Sequence, residues 1–147
     1  MNAIAAAALA AGELICEFDD GHRKSLLARL TGDAPRTEMV LVYEALKPDS
    51  AEVLSTGRPG RRAVKVRAAG ERLHLIEQDG PSFRVTTLTA CTRTRLKAGA
   101  EVCSRWDARH AWHFDSSARF DPDGAAARLP SGAATGSCEP WKMEQPQ

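Results

Sequence analysis

Four cysteines carry the most reactive chemistry in this 147-residue chain: Cys16, Cys91, Cys103 and Cys138. Thiols either crosslink, hold a metal or act as nucleophiles. Zinc knuckles need Cys-x-x-Cys turns, and no two of these cysteines are so spaced. No neighbouring residue in the sequence lowers a thiol pKa in the way a catalytic cysteine requires. Crosslinking is the reading that fits, and four cysteines allow three pairings. The stretch TACTRTRLKAGAEVC places Cys91 and Cys103 symmetrically about Lys97. A hairpin centred on Lys97 sets them opposite each other, with Cα atoms about 4.5–5.5 Å apart and within reach of a disulfide. The remaining pair, Cys16 and Cys138, would tie the first predicted strand to the far end of the domain.

Other reactive residues lack partners at useful spacing. His110 and His113 in RHAWHFD would share a helix face, but a strand sends them to opposite faces, so they do not chelate one ion. The segment FDPDG begins like a calcium loop and lacks the later ligands, which leaves a tight turn. Ser131 and Ser137 have no evident His–Asp partners. No metal, cofactor or catalytic residue is therefore expected, and a small metal-dependent hydrolase ranks third among the functional readings.

Two groups of side chains suggest binding instead. Arg61, Arg62, Lys65, Arg67 and Arg72 fall close together, flanked by Arg58, and alternation predicts a cationic outer sheet face for an anionic macromolecule, partly balanced by Glu71, Glu77 and Asp79. Trp106, Trp112, Tyr43, Phe83 and His110 are the candidate lining of a pocket for a small apolar ligand. A second basic run, Arg93, Arg95 and Lys97, sits at the predicted hairpin tip, where charge discourages edge aggregation. Overall charge is nearly balanced, 20 Lys+Arg against 19 Asp+Glu, so no global field recruits nucleic acid, and no specific nucleic-acid partner is expected.

The elements that must position these residues are mostly strands. Period-2 or β-branched runs occur at 13–19, 37–46, 51–57, 62–68, 72–78, 82–95 and 101–115, joined by links with Gly, Pro and Asp. Trp106, Trp112 and Phe114 are even-numbered while Phe83 and Val85 on the partner run are odd-numbered, so one register cannot bury both sets. One helical turn is expected in HRKSLLARLTGD, residues 22–33. After residue 115 the chain reads as irregular. The sum is an all-β antiparallel meander that closes into a small barrel, half-barrel or sandwich of 7–8 strands, with at most one short helix. Residues 13–141 form the single β domain, and 142–147 a flexible tail. Residues 1–12 read as a signal-peptide remnant, because 3–11 are all apolar and small residues dominate, with an alanine-rich helical turn or a disordered end as the alternative. No run is long and apolar enough to cross a bilayer as a helix.

The segment ELICEFDDG, followed by a β meander and a late cysteine, resembles small periplasmic β-barrel lysozyme inhibitors over a few residues. That resemblance implies an exported inhibitor that inserts a loop into an enzyme, and the Gly/Ser-rich stretch 130–137 before Cys138 would be its probe. The leading expectation is a non-enzymatic, monomeric, periplasmic or secreted binding protein that uses either the aromatic pocket or the Arg-rich face. An even cysteine count and an export-like N-terminus support that compartment.

Overall fold

In the computed structural model the described residues are 2–19, 38–55, 58–80, 82–114 and 132–141. The helix expected over 22–33, the turn at 120–124 and the tail 142–147 lie outside them. Helix α1 (Ala3–Ala11) precedes eight strands: β1 (Leu14–Asp19), β2 (Glu38–Glu44), β3 (Ser50–Ser55), β4 (Arg58–Ala69), β5 (Arg72–Asp79), β6 (Ser82–Lys97), β7 (Ala100–Phe114) and β8 (Gly132–Pro140). Each strand pairs antiparallel with the next, and β8 returns to β1, so the meander is a closed barrel. Closure removes the exposed edges that an open meander would leave.

Strand alternation decides what enters the barrel. Leu14, Cys16 and Phe18 of β1, Leu41 and Tyr43 of β2, Val64 and Val66 of β4, and Leu73 and Leu75 of β5 are all buried. On β6 and β7 the even-numbered residues face inward: Thr86 and Leu88 meet Trp106, Ala108 and His110. This settles the conflict in the sequence pattern in favour of the tryptophans.

The eighth strand was not legible as one. Residues 132–140, read as part of an irregular segment, pair along their length with β7 and β1. Their small side chains complement large ones on β7. Trp106 faces Cys138, His110 faces Ala134 and Trp112 faces Gly132. At Gly136 the approach of β1 is closer still, and a Cβ there would collide with the carbonyl oxygen of Glu17. Glycine is required by the space, not by a turn.

Residues 3–11, for which an alanine-rich helical turn is the alternative to a signal remnant, form α1 against one end of the barrel. Ala5 and Ala8 are fully buried. Asn2 caps the helix through its Oδ1, which accepts from Ala5 N at 2.7 Å, while its Nδ2 donates to the carbonyls of Gly70 and Arg72 at 2.8 and 2.9 Å. One side chain thus starts the helix and fastens it to the β4–β5 turn. Gly12, with φ 78°, ends it. A nine-residue helix is marginal alone, so this packing carries it.

Both disulfides form, Cys16–Cys138 and Cys91–Cys103, with Cα separations of 4.0 and 6.0 Å. The hairpin is not centred on Lys97, however. Lys97 pairs with Ala100 around Ala98 and Gly99, whose φ values of 53° and 81° build a two-residue turn. Thr94, not Cys91, therefore faces Cys103. Register shifts between Leu88 and Thr94 bring Cys91 within bonding distance.

Two consequences are measurable. By the chain-entropy model, Cys16→Ala/Cys138→Ala costs about 5 kcal/mol and Cys91→Ala/Cys103→Ala about 3, so urea midpoints should fall in that order. Gly136→Ala should cost about 3 kcal/mol through overpacking at the β1–β8 seam, whereas an alanine at exposed Gly99 should leave β1–β8 pairing intact by amide exchange.

Candidate functional site

The end of the barrel away from α1, its mouth, holds a polar cluster on a mostly apolar wall. Alternation builds it. Arg62 continues the inward series Val66, Val64 on β4, Glu77 continues Leu73, Leu75 on β5, and Arg84 and Thr86 lead into Leu88 on β6. Where the inward position reaches the mouth, the sequence changes from aliphatic to charged.

Glu77 is buried between two guanidinium groups. Arg62 Nε donates to its Oε2 at 2.6 Å, and Arg62 Nη2 donates to Oε1 at 3.3 Å and to Ser55 Oγ at 2.8 Å. Arg84 Nη1 stands 3.7 Å from Oε2, close enough for charge attraction and too far for a hydrogen bond. Arg62 and Glu77 side chains are 16% and 7% exposed, and Arg84 is 30% exposed, so this pair is only weakly screened. Among the described residues of this cluster, two positive charges stand against one negative.

Beside this triad runs a relay. The Tyr43 hydroxyl lies 2.6 Å from Thr86 Oγ1, which lies 2.8 Å from His110 Nδ1. Burial pushes the Tyr43 phenol well above its usual range, against the lowering effect of the Thr86 hydrogen bond, with Glu77 raising and Arg62 lowering it further. The phenol therefore keeps its proton. Burial lowers the His110 pKa to about 4, with Arg84 lowering it further and Glu77 opposing, so the imidazole is neutral. Tyr43 donates to Thr86 and Thr86 donates to Nδ1, an assignment that uses both hydroxyl protons and puts the imidazole proton on Nε2. The His110 ring sits 5.3 Å from Phe18 and 6.0 Å from Trp112.

Three buried nitrogens of this cluster have no hydrogen-bond partner among the described residues: Arg62 Nη1, Arg84 Nη1 and His110 Nε2. All three are donors. Buried polar atoms are usually paired, so three orphan donors in one cluster stand out.

The expected site residues divide as follows. Tyr43, His110 and Trp112 are in the mouth. Trp106 is inside but deeper, at 1% exposure beside Cys138. Phe83 is excluded, being 37% exposed on the outer face, because β6 buries its even-numbered residues. Arg62 does not belong to the cationic face. It shares parity with Val64 and Val66 and turns inward, leaving Arg61, Lys65, Arg67 and Arg72 outside. Arg61 is already paired with Glu44 at 3.1 Å and lies 3.8 Å from Glu52. Glu77, counted from the sequence among the carboxylates balancing that face, is instead its partner's counter-ion inside the barrel. Ser55, Arg84 and Thr86 were missed. The parity that placed Val64 and Leu75 inside also places Arg62, Glu77 and Arg84 there.

The stretch 130–137, expected as an inserting loop, is from Gly132 onward a strand bonded on both sides. A groove of about 750 Å³ lies on the outside of β7, β8 and β1, edged by Glu17, Asp107, Arg109 and Ser137. Its mixed charges select no ligand. No group of three or more His, Cys, Asp or Glu stands ready to hold a metal among the described residues. No protein-family model matches this chain, and neither a curated protein nor a solved structure matches it.

The depressed His110 pKa sets a pH dependence. The unfolded chain takes up the imidazole proton near pH 6.5 and the folded protein only near 4, so between these values the unfolded state binds more protons. The stabilisation is complete above about 6.5 and lost as pH falls toward 4, by about 3 kcal/mol. Denaturation at pH values across this window should show that loss in the native protein and not in His110→Gln. Parallel curves for the two proteins would refute the assignment.

Proposed function

We propose that this protein is a non-enzymatic, exported binding barrel that takes a small amphipathic anion in its mouth. The observation that carries the reading is the set of donors without a hydrogen-bond acceptor among the described residues, Arg62 Nη1, Arg84 Nη1 and His110 Nε2, beside the buried carboxylate of Glu77. A carboxylate, sulfonate or phosphate group supplies acceptors to both guanidinium groups and offsets the second positive charge. Trp112, partly buried beside His110, offers apolar surface to the rest of the ligand. Arg84 and Trp112 are only partly buried, which gives a ligand access. The purely apolar ligand expected from the aromatic residues fits less well, since burying it here would leave those donors without acceptors.

The periplasmic or secreted location rests on the pairing of all four cysteines, which reducing compartments do not sustain in most organisms. No observation favours the inhibitor reading, since the segment that would probe an enzyme is a barrel strand. The Arg-rich face is weakened as a docking surface by the loss of Arg62 to the interior and by the pairing of Arg61.

Anilinonaphthalenesulfonate tests the mouth, because it joins an anionic group to an aromatic body. Native protein should bind it with enhanced emission and quenched tryptophan fluorescence. Arg84→Met should weaken binding about 10–100-fold, the worth of a charge-assisted hydrogen bond, while phenylnaphthylamine, its uncharged analogue, should bind comparably poorly to both proteins. Equal affinity for the charged and uncharged probes would remove the proposal.

A further inference from the structure

The barrel accounts for β6 only as far as Leu88 and for β7 only from Trp106, because β5 and β8 pair with no residue beyond these. Residues 89–105 form a two-stranded ribbon that continues past the wall at the α1 end. It is made rigid in three ways. The Cys91–Cys103 bond staples its base, Cys103 packs against the core, and the turn at Ala98 and Gly99 has the twist that antiparallel strands favour. Such a rigid projection is more than barrel closure requires.

Its tip has a consistent chemistry. Leu96 is 77% exposed, the more exposed of the two large apolar residues left at the surface among those described. Arg95 and Lys97 flank it in sequence and project from the opposite face, with Arg93 one step further back, and all three are exposed. None of the three makes an ion pair among the described residues. The one acidic residue of the ribbon is Glu101, held by Thr94 Oγ1 at 2.7 Å. The end of the ribbon is thus a small apolar point, Leu96 with Ala98, Gly99 and Ala100, behind which stands a collar of three cations.

We propose that this ribbon docks the protein onto an anionic lipid surface, tip first. Lipid headgroups meet the cations at the collar while Leu96 enters the acyl boundary, and the long stems of Arg95 and Lys97 let their charges stay at headgroup level. A ribbon of two strands is too narrow to bury the roughly 800 Å² per partner of a stable protein interface, whereas a bilayer accepts a point. Nucleic acid fits less well, since the ribbon carries no aromatic side chain on which bases could stack. The mouth lies at the other end of the barrel, so it remains accessible when the tip is engaged. The inference does not depend on what the mouth binds.

Co-sedimentation with lipid vesicles tests it. Full-length protein should pellet with vesicles of phosphatidylcholine mixed with phosphatidylglycerol, remain in solution with phosphatidylcholine alone, and be released by salt. Arg95→Gln/Lys97→Gln should weaken partitioning about 25-fold, roughly fivefold per cation. Leu96→Ser should weaken it about tenfold and leave its relative salt dependence unchanged. These side chains are exposed, so circular dichroism and the anilinonaphthalenesulfonate response should match native protein. Failure to bind anionic vesicles, equal binding to neutral ones, native-like binding by both variants, or displacement from vesicles by short single-stranded DNA would each overturn the proposal.

Discussion

The pairing of β8 with β1 is the contact on which the molecule depends, because it converts a curled sheet into a closed wall. Two local features permit it. Gly136 lets the β8 backbone pass against Glu17 where any side chain would collide, and the Cys16–Cys138 bond fixes two directly paired residues of the same seam. Without this seam the small residues of β8 would no longer lie beneath Trp106, His110 and Trp112. The apolar interior would open along the whole length of one strand. The seam joins segments that are far apart in the chain, so its closure entropy is large, and the covalent bond stands where that cost is greatest.

Closure also creates the site. Around a closed barrel, alternation obliges every second residue of every strand to face the interior, whatever its chemistry. Near α1 those positions are apolar and the barrel is filled. At the mouth they are Arg62, Glu77, Arg84, Thr86 and His110, and the same geometry that packs a core there concentrates charge. Glu77 compensates part of that charge, and the Tyr43–Thr86–His110 relay satisfies its own inner members. What is left over is a set of hydrogen-bond donors in a poorly screened environment, where an unpaired group is costly.

The two ends of the barrel are unlike. One is covered by α1 and bears the projecting β6–β7 ribbon; the other carries the polar cluster. The difference arises from strand length. Most strands span the wall once, whereas β6 and β7, at 16 and 15 residues, continue beyond their outer neighbours and pair only with each other. A two-stranded extension of this kind is marginal alone and needs a staple, which the Cys91–Cys103 bond supplies.

From the order of residues alone, the all-β class, the first seven strands, the meander and both disulfide partners were legible, since period-2 patterns, turn residues and cysteine spacing are local or nearly local properties. Helix α1 was legible only as an alternative, because an alanine-rich apolar run suits an export signal as well as a helix; its packing through Ala5 and Ala8 is a tertiary property. Strand β8 was hidden because Gly, Ala and Ser have little intrinsic preference for a strand; they form one where the large rings of β7 leave room for nothing bigger. The polar cluster was half legible. Parity places Arg62 with Val64, yet a charged residue in such a series reads as surface until Glu77 and Arg84 are seen beside it on neighbouring strands. The sequence determined which residues alternate, and the tertiary structure decided which side of each alternation became the inside, because only a closed wall gives a strand an inside at all.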